Sequence, residues 1–340
     1  MSQITLVRNK QLPSTQASLN FGAVVIGRNE GERLKLCIAS LSAATRIVYV
    51  DSGSTDGSVD WARAHGADVV ELDSAVAFTA ARARNSGFRR LRDLVADLPY
   101  VQFVDGDCEV DRDWPGSAVS YLNANPSVAA VCGHLRERYP ERSVYNWLCA
   151  REWEGPPGET RAFGGNVMMR AAALAAASGY RDDLIAGEEP ELGVRLRAAG
   201  WHLWRLDTNM ALHDAAMTSF RQWWRRMIRN GYAFALGAFL HGAPPERHWV
   251  WETRRAWLWG VWLPLGCLAV GLAFGPWSWL AWLVYPLQLL RQTARNSGSL
   301  RERATLALFQ LLGRFPEALG AIKFTCDRLL GSRAHIVVHK

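Results

Sequence analysis

Asp105-Gly106-Asp107 sets two carboxylates in one loop, directly after the apolar run Val101-Gln102-Phe103-Val104, which reads as a buried strand. Carboxylate oxygens bind hard cations, so the pair is a candidate Mg2+ or Mn2+ site for holding a substrate's phosphates. A second acidic cluster, Glu188-Glu189-Pro190-Glu191, stands far downstream. A cation site for a diphosphate and a separate carboxylate base are the equipment of a sugar-nucleotide-dependent transferase. Each cluster alone also describes a solvated acidic turn, because Asp-x-Asp is short and common in loops.

The elements needed to position these acids alternate along the first half of the chain. Gly22-Ala23-Val24-Val25-Ile26 and Arg46-Ile47-Val48-Tyr49-Val50 read as strands, residues 67–72 as a third, and the run before Asp105 as a fourth. Between them, residues 32–41 place Leu34, Ile38 and Leu41 on one helical face, Asp56 is placed to cap a helix carrying Val59 and Trp61, and residues 80–94 form another helix. Alternation of this kind predicts an α/β fold with a mostly parallel sheet covered on both faces. Ligands of such sheets sit outside the carboxyl ends of the strands, where Asp51 and Asp105 both stand. Further on, residues 128–132 read as a strand, the alanine-rich stretch after Arg170 and residues 192–199 as helices, and residues 219–240 as a long basic aromatic helix.

Composition narrows the class. The 340 residues are 49% hydrophobic and 21% charged, which argues against a disordered chain. Arginine dominates a net charge of +7, a balance that suits nucleic acid, anionic lipid or phosphorylated substrates. Nucleic acid is not expected as a partner, since neither zinc-finger spacing nor an aromatic-glycine ribonucleoprotein box is present. Cys37, Cys108, Cys132, Cys149, Cys267 and Cys326 form no C-x-x-C pair and read as thiols in a reducing compartment. Residues 1–20 are polar, without the apolar core of a secretory signal, and read as a flexible N-terminus on a soluble part that stays in the cytosol.

Most of the 16 tryptophans lie beyond residue 200, a residue type that prefers membrane–water interfaces. Residues 256–290 contain no charge and are bracketed by Arg254, Arg255, Arg291 and Arg295. The first part, 257–274, is about long enough to cross a bilayer; the second, 277–290, is short, and Gly275-Pro276 separates them. An apolar hairpin, spanning or re-entrant, with both ends on the cytoplasmic face is the expectation; the alternative is a buried helical pair in a soluble domain. Residues 306–324 alternate apolar and basic positions as a surface helix would. The chain thus divides into a catalytic α/β domain over 21–240 and a helical, membrane-associated region over 241–340.

Six segments in order, Val25-Ile26-Gly27-Arg28-Asn29-Glu30, Val50-Asp51-Ser52-Gly53-Ser54-Thr55-Asp56, Ala83-Arg84-Asn85-Ser86-Gly87, Asp105-Gly106-Asp107, Gly164-Gly165-Asn166-Val167 and Glu188-Glu189-Pro190-Glu191-Leu192, make the chain resemble the family 2 (GT-A fold) inverting glycosyltransferases from about residue 22 to residue 240. The resemblance implies that Glu30 and Asp51 contact the nucleoside of a nucleotide-diphosphate sugar, although Asp51 could instead cap its own turn. It implies that Arg84 lies beside the nucleotide, that Asp107 ligates Mg2+ or Mn2+ with Asp105 nearer the ribose or a metal-bound water, and that His213 completes the metal shell unless it is structural. Glu189 aligns with the catalytic base and Glu188 with its neighbour. Glu stands where Asp is usual, which leaves open which of the two is the base. Gly164 and Gly165 would line the donor-sugar and acceptor pocket. Gln222-Trp223-Trp224-Arg225-Arg226 is similar to the Gln-x-x-Arg-Trp element of processive synthases, but Arg226 replaces the Trp; the segment is read as a basic helix docking on phospholipid headgroups. A polyprenyl-diphosphate-linked acceptor in surface polysaccharide assembly, at the cytoplasmic membrane face, is the expected partner. A processive synthase, a nucleotidyltransferase and a non-catalytic membrane scaffold remain as alternatives.

Overall fold

The computed structural model describes residues 19–331; the flexible stretch expected over 1–20 lies, but for its last two residues, outside the described residues. β1 (Phe21–Gly27), α1 (Glu32–Ser40), β2 (Arg46–Asp51), α2 (Ser58–Ala64), β3 (Asp68–Glu71), α3 (Ala80–Leu94) and β4 (Tyr100–Asp105) follow one another as the alternation predicts. β1 pairs in parallel with both β2 and β4, with Gly27 opposite Asp51 and Ile26 opposite Asp105. α3 lies close on this half: a Cβ at Gly87 would stand 2.3 Å from a Val24 methyl, so only glycine permits the approach. Asp56 stands one place before the cap of α2, which is Gly57 at φ +83°; the Asp56 carboxylate instead accepts from the Gly31 and Ser58 amides.

The second half of the sheet is mixed. β5 (Cys108–Val110), α4 (Trp114–Ala124), β6 (Val128–Glu137), α5 (Val144–Trp153), β7 (Gly158–Glu159), β8 (Val167–Arg170), α6 (Ala171–Ala176), α7 (Glu188–Ala198) and β9 (His202–His213) complete it. The strand path is β3-β2-β1-β4-β8-β6-β9-β5, with β7 on β9. β8 runs antiparallel to β4 and β6, β5 and β7 antiparallel to β9, and β6 parallel to β9. β6 continues five residues past the expected Cys132, because Gly133 admits the Thr208 carbonyl, which would stand 2.6 Å from a Cβ there. β5 follows β4 after two residues yet pairs with β9, the far end of the path, so the chain crosses from one part of the sheet to the other at Gly106.

Helices make up the rest. α8 (Phe220–His241) opens on a capping box between Ser219 and Gln222. α9 (Val250–Trp257), a π-helical turn at Leu258–Trp262 and α10 (Leu263–Phe274) form one rod of 25 residues, about 37 Å long at 1.5 Å per residue. The chain returns through the 3-10 stretch Pro276–Leu283 and α11 (Val284–Arg295), and the hairpin is closed by Tyr285 Oη donating to the Trp259 carbonyl at 2.8 Å. By length and composition the rod Val250–Phe274 is able to cross a membrane: its most apolar window has mean hydropathy 1.7 and is 11% buried. α12 (Leu300–Leu312) and α13 (Arg314–Leu329) replace the single surface helix expected over 306–324. α13 does not lie apart on a surface. It crosses α8 at two glycines, where a Cβ on Gly231 would meet the Glu317 carbonyl at 1.9 Å and one on Gly320 the Ile228 carbonyl at 2.0 Å.

Candidate active site

The register places the acids. Asp51 ends β2 and Asp105 ends β4, on either side of β1 and therefore about 10 Å apart at ~4.8 Å per strand. Both Asp51 oxygens are used locally: Tyr49 Oη donates to Oδ1 at 2.8 Å, and the Gly53 and Ser54 amides donate to Oδ2 at 2.8 Å. Asp51 thus builds the turn that follows it. That turn is tied to the loop after β1, since Asn29 Oδ1 accepts from the Thr55 amide and the Asn29 amide donates to Ser54 Oγ. Glu30 is buried beneath Gly27 and Gly106, with an Arg33 nitrogen 2.6 Å from Oε2.

Arg84 is the hub. Buried on α3, it places Nη2 3.0 Å from Asp105 Oδ1, and Nη1 2.8 Å from Glu188 Oε1 and 3.0 Å from Glu189 Oε1. Its guanidinium also lies 5.6 Å from the centroid of the Tyr180 ring. Burial opposes its charge, but Glu189, Asp105 and Glu188 together hold it firmly protonated. Three carboxylates thus engage the arginine that the resemblance sets beside the nucleotide. Gly165 lies against the pair: a Cβ would stand 2.4 Å from Asp105 Oδ2 and 2.5 Å from Arg84 Nη2, so glycine is required there, whereas Gly164 faces open space. Asn166 fixes the loop by accepting from the Asp105 amide and donating to Cys108 Sγ.

α7 begins at Glu188, so Glu188 and Glu189 sit within its first turn, where Pro190 forfeits no helical hydrogen bond and the helix dipole favours negative charge. Glu189 is 16% exposed while Glu188 is 6% exposed, which makes Glu189 the more accessible of the two acids. Burial, then the neighbouring Glu188, push its carboxyl up to about 7 against the pull of Arg84. An acid in that range is able to take up a proton near neutral pH.

Asp107 and His213 meet because β5 pairs with β9, Cys108 opposite His213. His213 Nε2 lies 3.4 Å from Asp107 Oδ1, near the ~3 Å edge of cis ligands around an octahedral cation with ~2.1 Å bonds. Cys108 completes the group, all three ligand atoms lying within 4.8 Å of one another. Its burial, then Asp107 and Asp105, hold the Cys108 thiol well above its ordinary range. Asp107 and His213 offer an oxygen and a nitrogen as donors, with Asp105 in the same loop. Oxygen and nitrogen donors of this kind fit a divalent cation such as Mg2+ or Mn2+.

Sequence reasoning missed three supports of this site. Glu137 of β6 is in register with His213, its Oε2 3.6 Å from His213 Nδ1, a carboxylate behind the histidine of the kind that orients a metal ligand. Trp153 packs edge-on against the His213 ring at 4.5 Å. Asn85 ties α3 to the stretch before α7, donating to the Tyr180 carbonyl at 2.7 Å and to Asp182 at 2.6 Å. The strand pairing that creates the first contact has no local signal; Asn85 was inside a motif already singled out. Residues 222–226, expected to dock on headgroups, are divided in their contacts. Gln222 is consumed by the cap of α8, and Arg226 donates to Cys149 Sγ and Glu152 at 2.9 Å, while Arg221 and Arg225 are exposed.

Residues 23–176 match the family described as glycosyl transferase family 2. The chain carries a glycosyl transferase family 2 domain. Strand β1 from Ala23 onward, strands β2 to β8, and Arg84, Asp105 and Asp107 fall within the matched residues, while Glu188, Glu189 and His213 lie beyond them. Among curated proteins, the chain is 26% identical over 250 residues to the pre-mycofactocin glycosyltransferase of Mycobacterium tuberculosis, covering 69% of this chain and 51% of that protein. It is 26% identical over 198 residues to the succinoglycan biosynthesis protein ExoA of Rhizobium meliloti, covering 54% and 58%. The chain therefore spans about half the length of the curated relatives it matches. In structure it is similar to the mannosyltransferase PcManGT of Pyrobaculum calidifontis, solved with GDP-Man and Mn2+, with a TM-score of 0.60 at 20% identity over 91% of this chain and 88% of that one. It is also similar to residues 1–349 of S. aureus TarS, solved with UDP-GlcNAc, with a TM-score of 0.50 at 14% identity over 92% of both chains. At these identities the likeness is one of fold, and the GT-A fold expected from the family 2 motifs is the fold observed.

Proposed function

We propose that this protein is an inverting, metal-dependent glycosyltransferase that moves a sugar from a nucleotide-diphosphate donor to an acceptor hydroxyl. One observation carries the reading: the single guanidinium of Arg84 joins Asp105, beside the Asp107–His213 cation site, to Glu188 and Glu189 on α7. In this reading Asp107 and His213, with Asp105 adjoining, hold Mg2+ or Mn2+, which supplies positive charge to offset that of the departing diphosphate. Glu30 and the turn shaped by Asp51 frame the nucleoside, and Gly164 and Gly165 leave room for the donor sugar. Glu189 takes the acceptor hydroxyl's proton as the acceptor oxygen bonds to the anomeric carbon. The bond from that carbon to the diphosphate breaks on the opposite face, and nucleoside diphosphate leaves. Arg84 holds Glu189 and Asp105 in fixed relation while neutralising part of their charge.

The apolar hairpin supports an acceptor presented at a membrane, and the cytoplasmic face is favoured by the arginines that bracket residues 256–290. A polyprenyl-diphosphate-linked saccharide is the acceptor class that joins a hydroxyl, a phosphate and a lipid at that surface. The test is a melting-point screen of the purified chain with UDP-, GDP- and dTDP-sugars, with and without Mn2+, followed by product analysis with the stabilising donor. The reading predicts a metal-dependent rise with one donor class, release of nucleoside diphosphate and an inverted anomeric centre. Release of pyrophosphate, or retention of configuration, would remove it.

A further inference from the structure

The end of α8 and the connection to the apolar rod, residues 241–249, run along α7 and brace it at three levels. His241, the last residue of α8, has Nε2 3.0 Å from Oε1 of the buried Glu191. Glu246 accepts from Arg197 at 2.6 Å and from Arg161 at 2.9 Å, and those hydrogen bonds hold its carboxyl below the usual range. The third brace is Trp249, the residue that opens the rod. Its indole lies against Gly187, where a Cβ would stand 2.7 Å from two ring carbons, and against Gly237, where a Cβ would stand 2.4 Å from another.

Both partners of this contact have backbones that need explanation. Gly187 has φ +83°, and Trp249 has φ +51°, a conformation rare for a bulky side chain. The indole is held there by His248 stacked at 4.3 Å and by Phe234 edge-on at 5.2 Å. Burial, then the neighbouring His241, lower His248 to about 4, so the stacked ring is uncharged at neutral pH. Gly187 directly precedes Glu188 and Glu189, and its carbonyl accepts from the Glu191 amide at 3.1 Å, closing the first turn of α7. Two glycines, one at the N-cap of α7 and one on α8, therefore make room for one aromatic ring at the turn that carries the candidate base.

We propose that Trp249 is a positioning residue for the transfer: its indole, pressed on Gly187, fixes the first turn of α7 so that Glu189 faces the crevice beside Arg84. Because Trp249 is the root of the rod Val250–Phe274, the C-terminal helices belong to the active-site scaffold as well as to any membrane contact. The inference rests on the glycosyl-transfer reading, and a readout independent of turnover separates the two.

The experiment compares Trp249→Ala, Trp249→Phe and the unaltered full chain by amide hydrogen exchange and by steady-state transfer from the stabilising donor. For Trp249→Ala the expected result is exchange about tenfold faster over residues 188–192 with residues 100–105 unchanged. Its kcat falls about tenfold while KM for the donor stays within about twofold. Trp249→Phe, which keeps a ring against Gly187, recovers most of both. Unchanged exchange at 188–192 overturns the inference, as does a parallel rise at 100–105, which would mark a general loss of stability. Should Trp249→Ala fail to fold, Gly237→Ala, which displaces the ring from the α8 side without straining the α7 turn, must show the same local pattern. If the unaltered chain transfers no sugar, the functional reading falls and the exchange result alone decides the role of Trp249.

Discussion

Val24, Val25, Phe103 and Val104 in the sheet and Leu265, Leu272, Phe274 and Trp277 in the C-terminal hairpin are all strongly apolar, yet the first set is at most 1% exposed and the second runs from 54% to 83%. Burying a side chain of this size stabilises by roughly 1.5–3 kcal/mol, so in the sheet the fold itself collects that energy. In the hairpin that energy is not collected within the chain, and exposed apolar side chains with tryptophans among them are of the kind that mark interaction sites. The difference teaches that the two regions hold their chemistry differently. In the sheet, register sets each acid. In the helical region, the indole of Trp249 packs on Gly187 and Gly237, so aromatic and glycine contacts join the root of the rod to α7 and α8.

Substitutions in each region should therefore fail in different ways. The largest effect belongs to the sheet: Asp107→Asn should lower transfer about 10^3-fold or more, since a cation that offsets leaving-group charge contributes several kcal/mol, with membrane association unaltered. Isothermal titration with Mn2+ in the presence of the donor should show the matching loss of affinity. Arg84→Met removes the charge shared by Asp105, Glu188 and Glu189, and leaving buried charges without their partner should lower stability by roughly 3–5 kcal/mol, read in urea titrations. In the hairpin, Leu265→Lys puts a charge in the rod and should cost about 2.5–3.5 kcal/mol of membrane insertion, or about 100-fold in vesicle flotation, while the melting point of the sheet domain holds. Flotation unchanged by that lysine would return the hairpin to the status of a soluble helical pair.

Much of this was legible beforehand, and the gaps have physical reasons. β1 to β4 and α3 were readable because each is a local apolar pattern bounded by turn residues, and the acids at strand ends follow from the α/β rule for ligand sites. The antiparallel members β5 and β8 were not, because a strand's direction is decided by partners distant in the chain. Glu137 behind His213 and Arg84 among three carboxylates were hidden for the same reason: each is a product of pairing or of helix placement, not of spacing. Asp51 shows the opposite case, where the local alternative, a turn-building carboxylate, is visible in its hydrogen bonds. Trp249 gave no signal at all, since what marks it is a collision with Gly187 and Gly237 that exists only in three dimensions.

Glu189 carries the central chemical step of the proposed transfer. Its carboxyl, raised to about 7, is protonated below that pH and unable to accept a proton, so kcat/KM of the unaltered chain should climb about tenfold per pH unit up to about 7 and then level. The decisive measurement is that profile for Glu189→Gln beside donor binding by the same variant. The account predicts donor affinity close to that of the unaltered chain, transfer reduced about 10^2 to 10^4-fold, and no rise through pH 7. Transfer by Glu189→Gln at the unaltered rate, with the same pH profile, would contradict it.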